Sequence, residues 1–278
     1  MKRSGAVGAP LAFLVPSKNR HASLARSLVS WQAAGIVAAI CDQSPEPFAT
    51  ARAAVRTCHR PDLNGLPAAR NALLHSSDAE VVVFLDDDTD LAPDFASALA
   101  ACIARWPEAA GWGPVLETRP RAVRRQHRLV HLGCFHDPRR LTGARIDAPT
   151  AALFGACFAV RRELALAVGF DARRPGYALG EDLDFCARVA QHVGRAQPFR
   201  FCRDLKAIHR SDGANRADPV KRGRGKAEFL IWFARRHGGR NPCTVLHLLL
   251  ALAVAALGHG RERAAARGVW QGLRAWAW

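Results

Sequence analysis

Val81-Val82-Val83-Phe84-Leu85-Asp86-Asp87-Asp88 is the clearest signal in this 278-residue chain. Five apolar residues in succession, three of them valine, are the pattern of a strand buried on both faces. Such strands belong to parallel sheets covered by helices, whose ligands bind beyond the carboxyl ends of the strands. At that point the run stops at three consecutive acids, which repel one another unless a cation or protons relieve the charge. Carboxylate oxygens suit a hard divalent ion, and such ions commonly bridge protein acids to phosphates. Asp86 and Asp88, two apart in an extended segment, point the same way and are the expected metal ligands. An acidic turn capping the next helix is the plainer alternative.

Working outward, residues 11–15 and 36–41 read as further buried strands, and 153–160 as another with Gly155 inside it. Between them, Leu24, Leu28 and Trp31 recur at helical spacing. Pro67 suits the first turn of a helix, and Phe95, Leu99 and Ile103 share one face of a helix opened by Pro93. This alternation predicts an α/β fold of Rossmann-like type, a mixed, mainly parallel sheet with helices on both faces. Residues 114–150 show no assignable pattern, and 212–225, rich in glycine and charge, read as a mobile loop. The expected division is a catalytic domain over residues 1–240 and a C-terminal helical tail over 241–278.

A second acidic constellation, Gly180-Glu181-Asp182-Leu183-Asp184, opens a predicted helix. Acids are favoured at a helix start by its dipole, whatever the function. Transfer of a group to a hydroxyl, however, needs a carboxylate to take the proton of that hydroxyl as it attacks. Neighbouring acids raise a carboxyl's pKa towards a useful range, and Asp182 is the expected base, with Glu181 or Asp184 orienting it or the acceptor. His209 follows a short apolar segment, and a lone histidine is more often structural than a ligand.

Together these motifs resemble glycosyltransferase family 2, the inverting enzymes of the GT-A fold, from about residue 11 to 239. Val15-Pro16-Ser17-Lys18-Asn19-Arg20 looks like the family's first strand and donor loop. Cys41-Asp42-Gln43-Ser44 is similar to its acidic turn at the nucleotide base, and Leu66-Pro67-Ala68-Ala69-Arg70-Asn71 to its Arg-Asn helix start beside the nucleotide. Asp86-Asp87-Asp88 matches the DxD motif, Phe154-Gly155-Ala156-Cys157 looks like the strand lining the sugar pocket, and Gly180-Glu181-Asp182 matches the motif of the base. The resemblance implies donor contacts from Pro16, Asn19, Arg20, Asp42, Ser44, Arg70, Asn71, Asp86, Asp87 and Gly155. It implies His209 as a further ligand beside Asp86 and Asp88, for Mg²⁺ or Mn²⁺, and catalysis by Asp182 with Glu181. The donor is then a nucleotide diphosphate sugar, the acceptor a glycan or lipid-linked hydroxyl, and the outcome inversion, in the synthesis of a cell-surface glycan or glycolipid. A haloacid dehalogenase phosphatase also places Asp-x-Asp after a strand, but wants a threonine four residues after the first aspartate, where this chain has Asp90.

The formal charge of +16 indicates an anionic partner, and a non-catalytic polyanion- or lipid-binding protein of the same fold is the rival reading. No nucleic-acid motif or aromatic stacking platform stands out, which argues against nucleic acid. Eight cysteines without a CxxC pair point away from zinc ribbons and redox dithiols, towards a reduced, cytoplasmic compartment. The apolar run at 11–15, closed by Pro16, is too short for a signal sequence, so export is not expected. Residues 245–257 are apolar but short for a membrane span. After them Arg261, Arg263, Arg267 and Arg274 mix with Trp270, Leu273, Trp276 and Trp278, a composition suited to the surface of an anionic membrane. Peripheral attachment to the cytoplasmic face is the expectation.

Overall fold

The run of residues 81–85 forms strand β4 (Val81–Leu85), and all five side chains are buried. In this computed structural model, which describes residues 10–50, 55–118, 146–173, 178–211, 218–237 and 261–275, β4 lies mid-sheet. Val81, Val83 and Leu85 enter one apolar cluster with Leu24, Leu28 and Trp31 of helix α1 (His21–Ala33) and Phe95 and Leu99 of α3 (Phe95–Arg105). Val82 and Phe84 enter a second cluster, with Leu73 and Leu74 of α2 (Leu66–His75) and Phe185 and Val189 of α5 (Glu181–Val193). Two apolar layers therefore need an apolar residue at every position of the strand, which is why the sequence does not alternate. Each fully buried Leu or Phe contributes roughly 1.5–3 kcal/mol.

The main sheet has eight strands in the order β3-β2-β1-β4-β9-β6-β10-β8. Its parallel half comprises β3 (Val55–His59), β2 (Ala38–Asp42), β1 (Leu11–Ser17) and β4. Strand β9 (Cys157–Arg161), followed directly by α4 (Arg162–Val168), runs antiparallel to both β4 and β6 (Gly111–Gly113). Strand β10 (Phe199–Phe201) is parallel to β6 and antiparallel to β8 (Ala148–Thr150). A small second sheet, β5-β11-β7, joins β5 (Thr89–Leu91), β11 (Ala207–His209) and β7 (Glu117–Thr118). Because β5 follows the acidic triplet at once, its pairing with β11 sets His209 opposite Thr89.

The mixed sheet with helices on both faces is the predicted GT-A-type architecture, with three local differences. Gly155 lies in a turn before β9 rather than inside a strand, because its N–H and C=O are bonded to side chains and not to a neighbouring strand. Strand β3, at the sheet edge and largely exposed, carries too few apolar residues to signal itself. The expected loop 212–225 gives way at Pro219 to helix α6 (Pro219–His237), whose first turn Asp218 caps by accepting from the N–H groups of Val220 (2.9 Å) and Lys221 (3.1 Å). Of the glycines that suggested a loop, Gly223 serves packing instead, while Gly225 faces open space. Gly223 of α6 and Gly268 and Gly272 of α7 (Arg261–Ala275) leave no room for a Cβ, so the two helices meet backbone against backbone. Among the described residues no helix is long and apolar enough to cross a membrane. The apolar run 245–257, Trp276, Trp278, most of 114–150 and residues 212–217 lie outside the described residues.

Candidate active site

The acidic triplet is held as a tight turn at the carboxyl end of β4. The Asp86 N–H donates to Ala156 O (3.0 Å), and the N–H of Thr89 donates back to Asp86 O (3.2 Å). Helix α1 braces the same turn through two side chains, Ser27 Oγ to Asp87 O (2.9 Å) and Trp31 Nε1 to Thr89 O (2.9 Å). Apolar spacing placed Trp31 on a buried helix face but could not reveal this polar duty, and Ser27 carried no signal in the sequence.

The three aspartates face different ways. Asp87 turns into the protein, accepting from Ser17 Oγ (2.7 Å) and lying 3.1 Å from Arg20 Nε, and burial pushes its carboxyl up to about 7 against the pull of Arg20. Asp88 is buried too, but its Oδ2 accepts from Arg20 (2.7 Å) and its Oδ1 lies 3.1 Å from His209 Nε2. Burial opposes its ionisation, yet His209 and Arg20 hold it below the usual carboxylate range. Asp86 is partly open. Asp86, Asp88 and His209 each offer a ligand atom, all within 4.8 Å of one another, an oxygen and imidazole set that fits a divalent cation. The spacing of Asp86 and Asp88 was legible in the sequence; the third donor arrives through the pairing of β5 with β11.

Behind Asp86 lies Arg70 of α2, only 1% exposed. Its guanidinium pairs with Glu181, reaches Asp86 Oδ1 (3.2 Å), and donates to Gly155 O (2.7 Å). Phe84, Phe158 and Phe170 surround it, with ring centroids 5.7, 5.7 and 5.4 Å from Cζ. Burial works against its charge, and Glu181, Asp86 and Asp182 more than restore it. Burial likewise pushes Glu181 up to about 8, with Arg70 pulling the other way. Arg70 was expected beside the nucleotide; here it is enclosed, and it joins the two acidic motifs from within. Asn71 is similarly occupied, donating to Phe170 O (2.9 Å) and accepting from Phe170 N–H (2.8 Å).

Asp182, half-buried at the start of α5, accepts from the Gly155 N–H through Oδ2 (2.9 Å). Arg70 holds the carbonyl of the same glycine, so Gly155 ties the carboxylate of Asp182 to that of Asp86. Room is scarce there: a Cβ on Gly155 would stand 3.0 Å from the Asp182 carboxylate. Asp184 does not share this position. It is fully buried and faces the opposite side of α5, 2.8 Å from Arg188, 3.0 Å from Arg236 and 2.7 Å from His237, so it does not contact Asp182 as the sequence reading expected it to.

Beyond β1 and β2, Asp42 is buried with its carboxylate well supplied. It accepts from Ser44 N–H (3.0 Å), Ser44 Oγ (2.6 Å) and Phe48 N–H (2.7 Å), and lies 3.2 Å from His21 Nε2. Burial opposes its charge, but the bonds from Ser44 and Phe48 lower its pKa. Ser44 Oγ also accepts from the N–H of Asn19, a residue with φ of 57°. Pro16, in β1, pairs with Cys41 in register. His21 and Phe48, with ring centroids 5.3 Å apart, wall this turn and carried no signal in the sequence. Arg210 also escaped notice: it pairs with Asp90, donates to Ser27 Oγ (2.8 Å), and its N–H bonds Asp88 O (3.0 Å).

Residues 36–169 match the model of a family described as "Glycosyl transferase family 2". No curated protein matches the chain by sequence comparison. Among solved structures, the mannosyltransferase PcManGT from Pyrobaculum calidifontis, in complex with GDP-Man and Mn²⁺, is similar over 98% of this chain and 84% of its own, with a TM-score of 0.58 at 16% identity. GalNAc-T7, solved with UDP, GalNAc and Mn²⁺, is similar over 84% of this chain, with a TM-score of 0.54 at 14% identity; the chain spans 52% of its length. The region that matches glycosyl transferase family 2 runs from β2 through the acidic triplet to the end of α4, and the sheet that carries it has the GT-A fold.

Proposed function

We propose that this chain is an inverting, metal-dependent glycosyltransferase that moves a sugar from a nucleotide diphosphate donor to an acceptor hydroxyl. The observation that carries the reading is the convergence of two acidic motifs, distant in sequence, on one turn. Asp86, Asp88 and His209 form a cation-ligand set, and Gly155 and Arg70 link Asp86 to Asp182. Mg²⁺ or Mn²⁺ held by those three residues would supply positive charge opposite the departing diphosphate. Asp182 takes the proton of the acceptor hydroxyl as it attacks the anomeric carbon from the face opposite the leaving group. Glu181, locked on Arg70, serves by holding that frame. Arg20, with a side chain 26% exposed, adds positive charge at the mouth of the site. Pro16 and Asp42, at the ends of β1 and β2, and Asn19 and Ser44, on the loops that follow them, would receive the nucleotide. The two similar solved structures were obtained with Mn²⁺ and with GDP-Man or UDP, which supports the donor class.

Nucleoside diphosphates in the presence of Mn²⁺ are expected to raise the thermal midpoint, since a ligand at about 100 times its Kd stabilises by roughly 2.7 kcal/mol. Thermal unfolding against UDP, GDP and their sugars, with and without Mn²⁺, checks this. No shift with any of them would remove the donor site.

Peripheral attachment to the cytoplasmic face of an anionic membrane, with a lipid-linked acceptor, completes the reading. Arg263, Arg267, Trp270 and Arg274 of α7 are exposed at spacings of four, three and four, which puts them on one helix face. The opposite face holds Gly268 and Gly272 against α6. Replacing Arg267, Trp270 and Arg274 together by alanine is expected to weaken cosedimentation with phosphatidylserine vesicles by about tenfold or more, at about 1 kcal/mol per arginine. Vesicle binding unchanged by the triple substitution would exclude this surface.

A further inference from the structure

Helix α5 carries Asp182 and Asp184 two residues apart, so their side chains leave the helix roughly 200° apart. One meets Gly155 at the proposed active site, and the other meets the end of α6. At that end, His237 and Arg236 bind the buried Asp184 at 2.7 and 3.0 Å, and Arg236 also reaches Asp171 (2.8 Å). Asp171 follows Phe170, the residue stapled by Asn71 and stacked on Phe185 at 4.3 Å between centroids. A second anchor sits at the start of α5. Gly180 adopts φ of 78°, and the ring of Phe229 from α6 fills the space where a Cβ would stand. Helix α6 therefore grips α5 immediately before Glu181 and again at Asp184, on either side of Asp182 in the chain. None of these α6 residues lies within the family-matched region 36–169.

We infer that Phe229, Arg236 and His237 of α6 are positioning residues that fix the first turn of α5 and so aim the Asp182 carboxylate. They touch neither donor nor acceptor. A buried carboxylate with cationic partners is costly to strip, which makes Asp184 a rigid fixed point rather than a loose contact. With Phe229 seated on Gly180, the first turn can neither rotate nor slide along its axis. A displacement near 1 Å at a reacting group can cost about 100-fold in rate. The inference rests on Asp182 being the base.

The test uses the full chain carrying His237→Ala, His237→Gln, Phe229→Ala or, as a reference, Asp182→Asn. Its readouts are turnover of GDP-mannose, UDP-glucose and UDP-N-acetylglucosamine, Mn²⁺-dependent binding of GDP and UDP, and amide hydrogen exchange. His237→Ala and Phe229→Ala are expected to lower kcat by about tenfold or more, with donor KM and diphosphate binding within about twofold. Exchange should rise at residues 178–186 and at Gly155, and His237→Gln, which keeps a donor for Asp184, should recover most of the rate. Should either alanine variant fail to fold, the other and the glutamine variant carry the test. An unchanged kcat, or equal losses in kcat and diphosphate binding, overturns the positioning role. Near-normal turnover by Asp182→Asn, or no turnover of any donor by the unaltered chain, instead removes the base assignment and this inference with it.

Discussion

Asp88→Asn is expected to lower sugar transfer by on the order of 10³-fold while the protein remains folded. The amide keeps the size of the carboxylate, so the space between Arg20 and His209 stays filled. What disappears is a negative charge that those two neighbours hold ionised against burial, one of three ligands to the proposed cation. Arg20 retains Asp87 at 3.1 Å, so no cation is left without an acid. The measurements are turnover with Mn²⁺, the Mn²⁺-dependent rise in thermal midpoint, and circular dichroism. A folded variant that transfers sugar within about tenfold of the unaltered chain would place the metal elsewhere.

The second large effect is expected of Asp182→Asn. General base catalysis contributes about 10²–10⁴-fold, and the asparagine oxygen can still accept from the Gly155 N–H without being able to take a proton. The loss should therefore fall on kcat, with Mn²⁺-dependent binding of a nucleoside diphosphate little changed. Metal-site and base substitutions are thus separable: the first removes diphosphate binding, the second leaves it. A fall in diphosphate affinity that matches the fall in kcat would mean that Asp182 supports the donor site instead.

Much of this site could be read before any coordinates, and the reasons are specific. Asp86 and Asp88 are legible because an uninterrupted apolar strand delivers them to the functional edge of a sheet. Asp182 is legible through its neighbours Gly180 and Glu181. Arg70 was noticed too, yet its surroundings were not: a cation enclosed by Phe84, Phe158 and Phe170 can only be recognised once three separate elements meet. Asp184 looked like another active-site acid because first-turn acids read alike, whereas 200° of helix rotation sends it to Arg236 and His237. Gly223 was read as loop, since the cost of glycine in a helix is plain in sequence and its close contact with a second helix is not.

Periodicity and local chemistry, then, were enough for the α/β class, the buried central strand and the chemical type of the groups at its end. They act between residues a few positions apart, and a linear chain displays them directly. Which acids converge, which arginine is enclosed, and which histidine reaches the aspartates were decided by strand pairing and by the docking of α6 on α5. Those depend on burial and charge compensation between segments more than a hundred residues apart in some cases, as for Arg70 and Glu181, and come into being only when the layers close on one another.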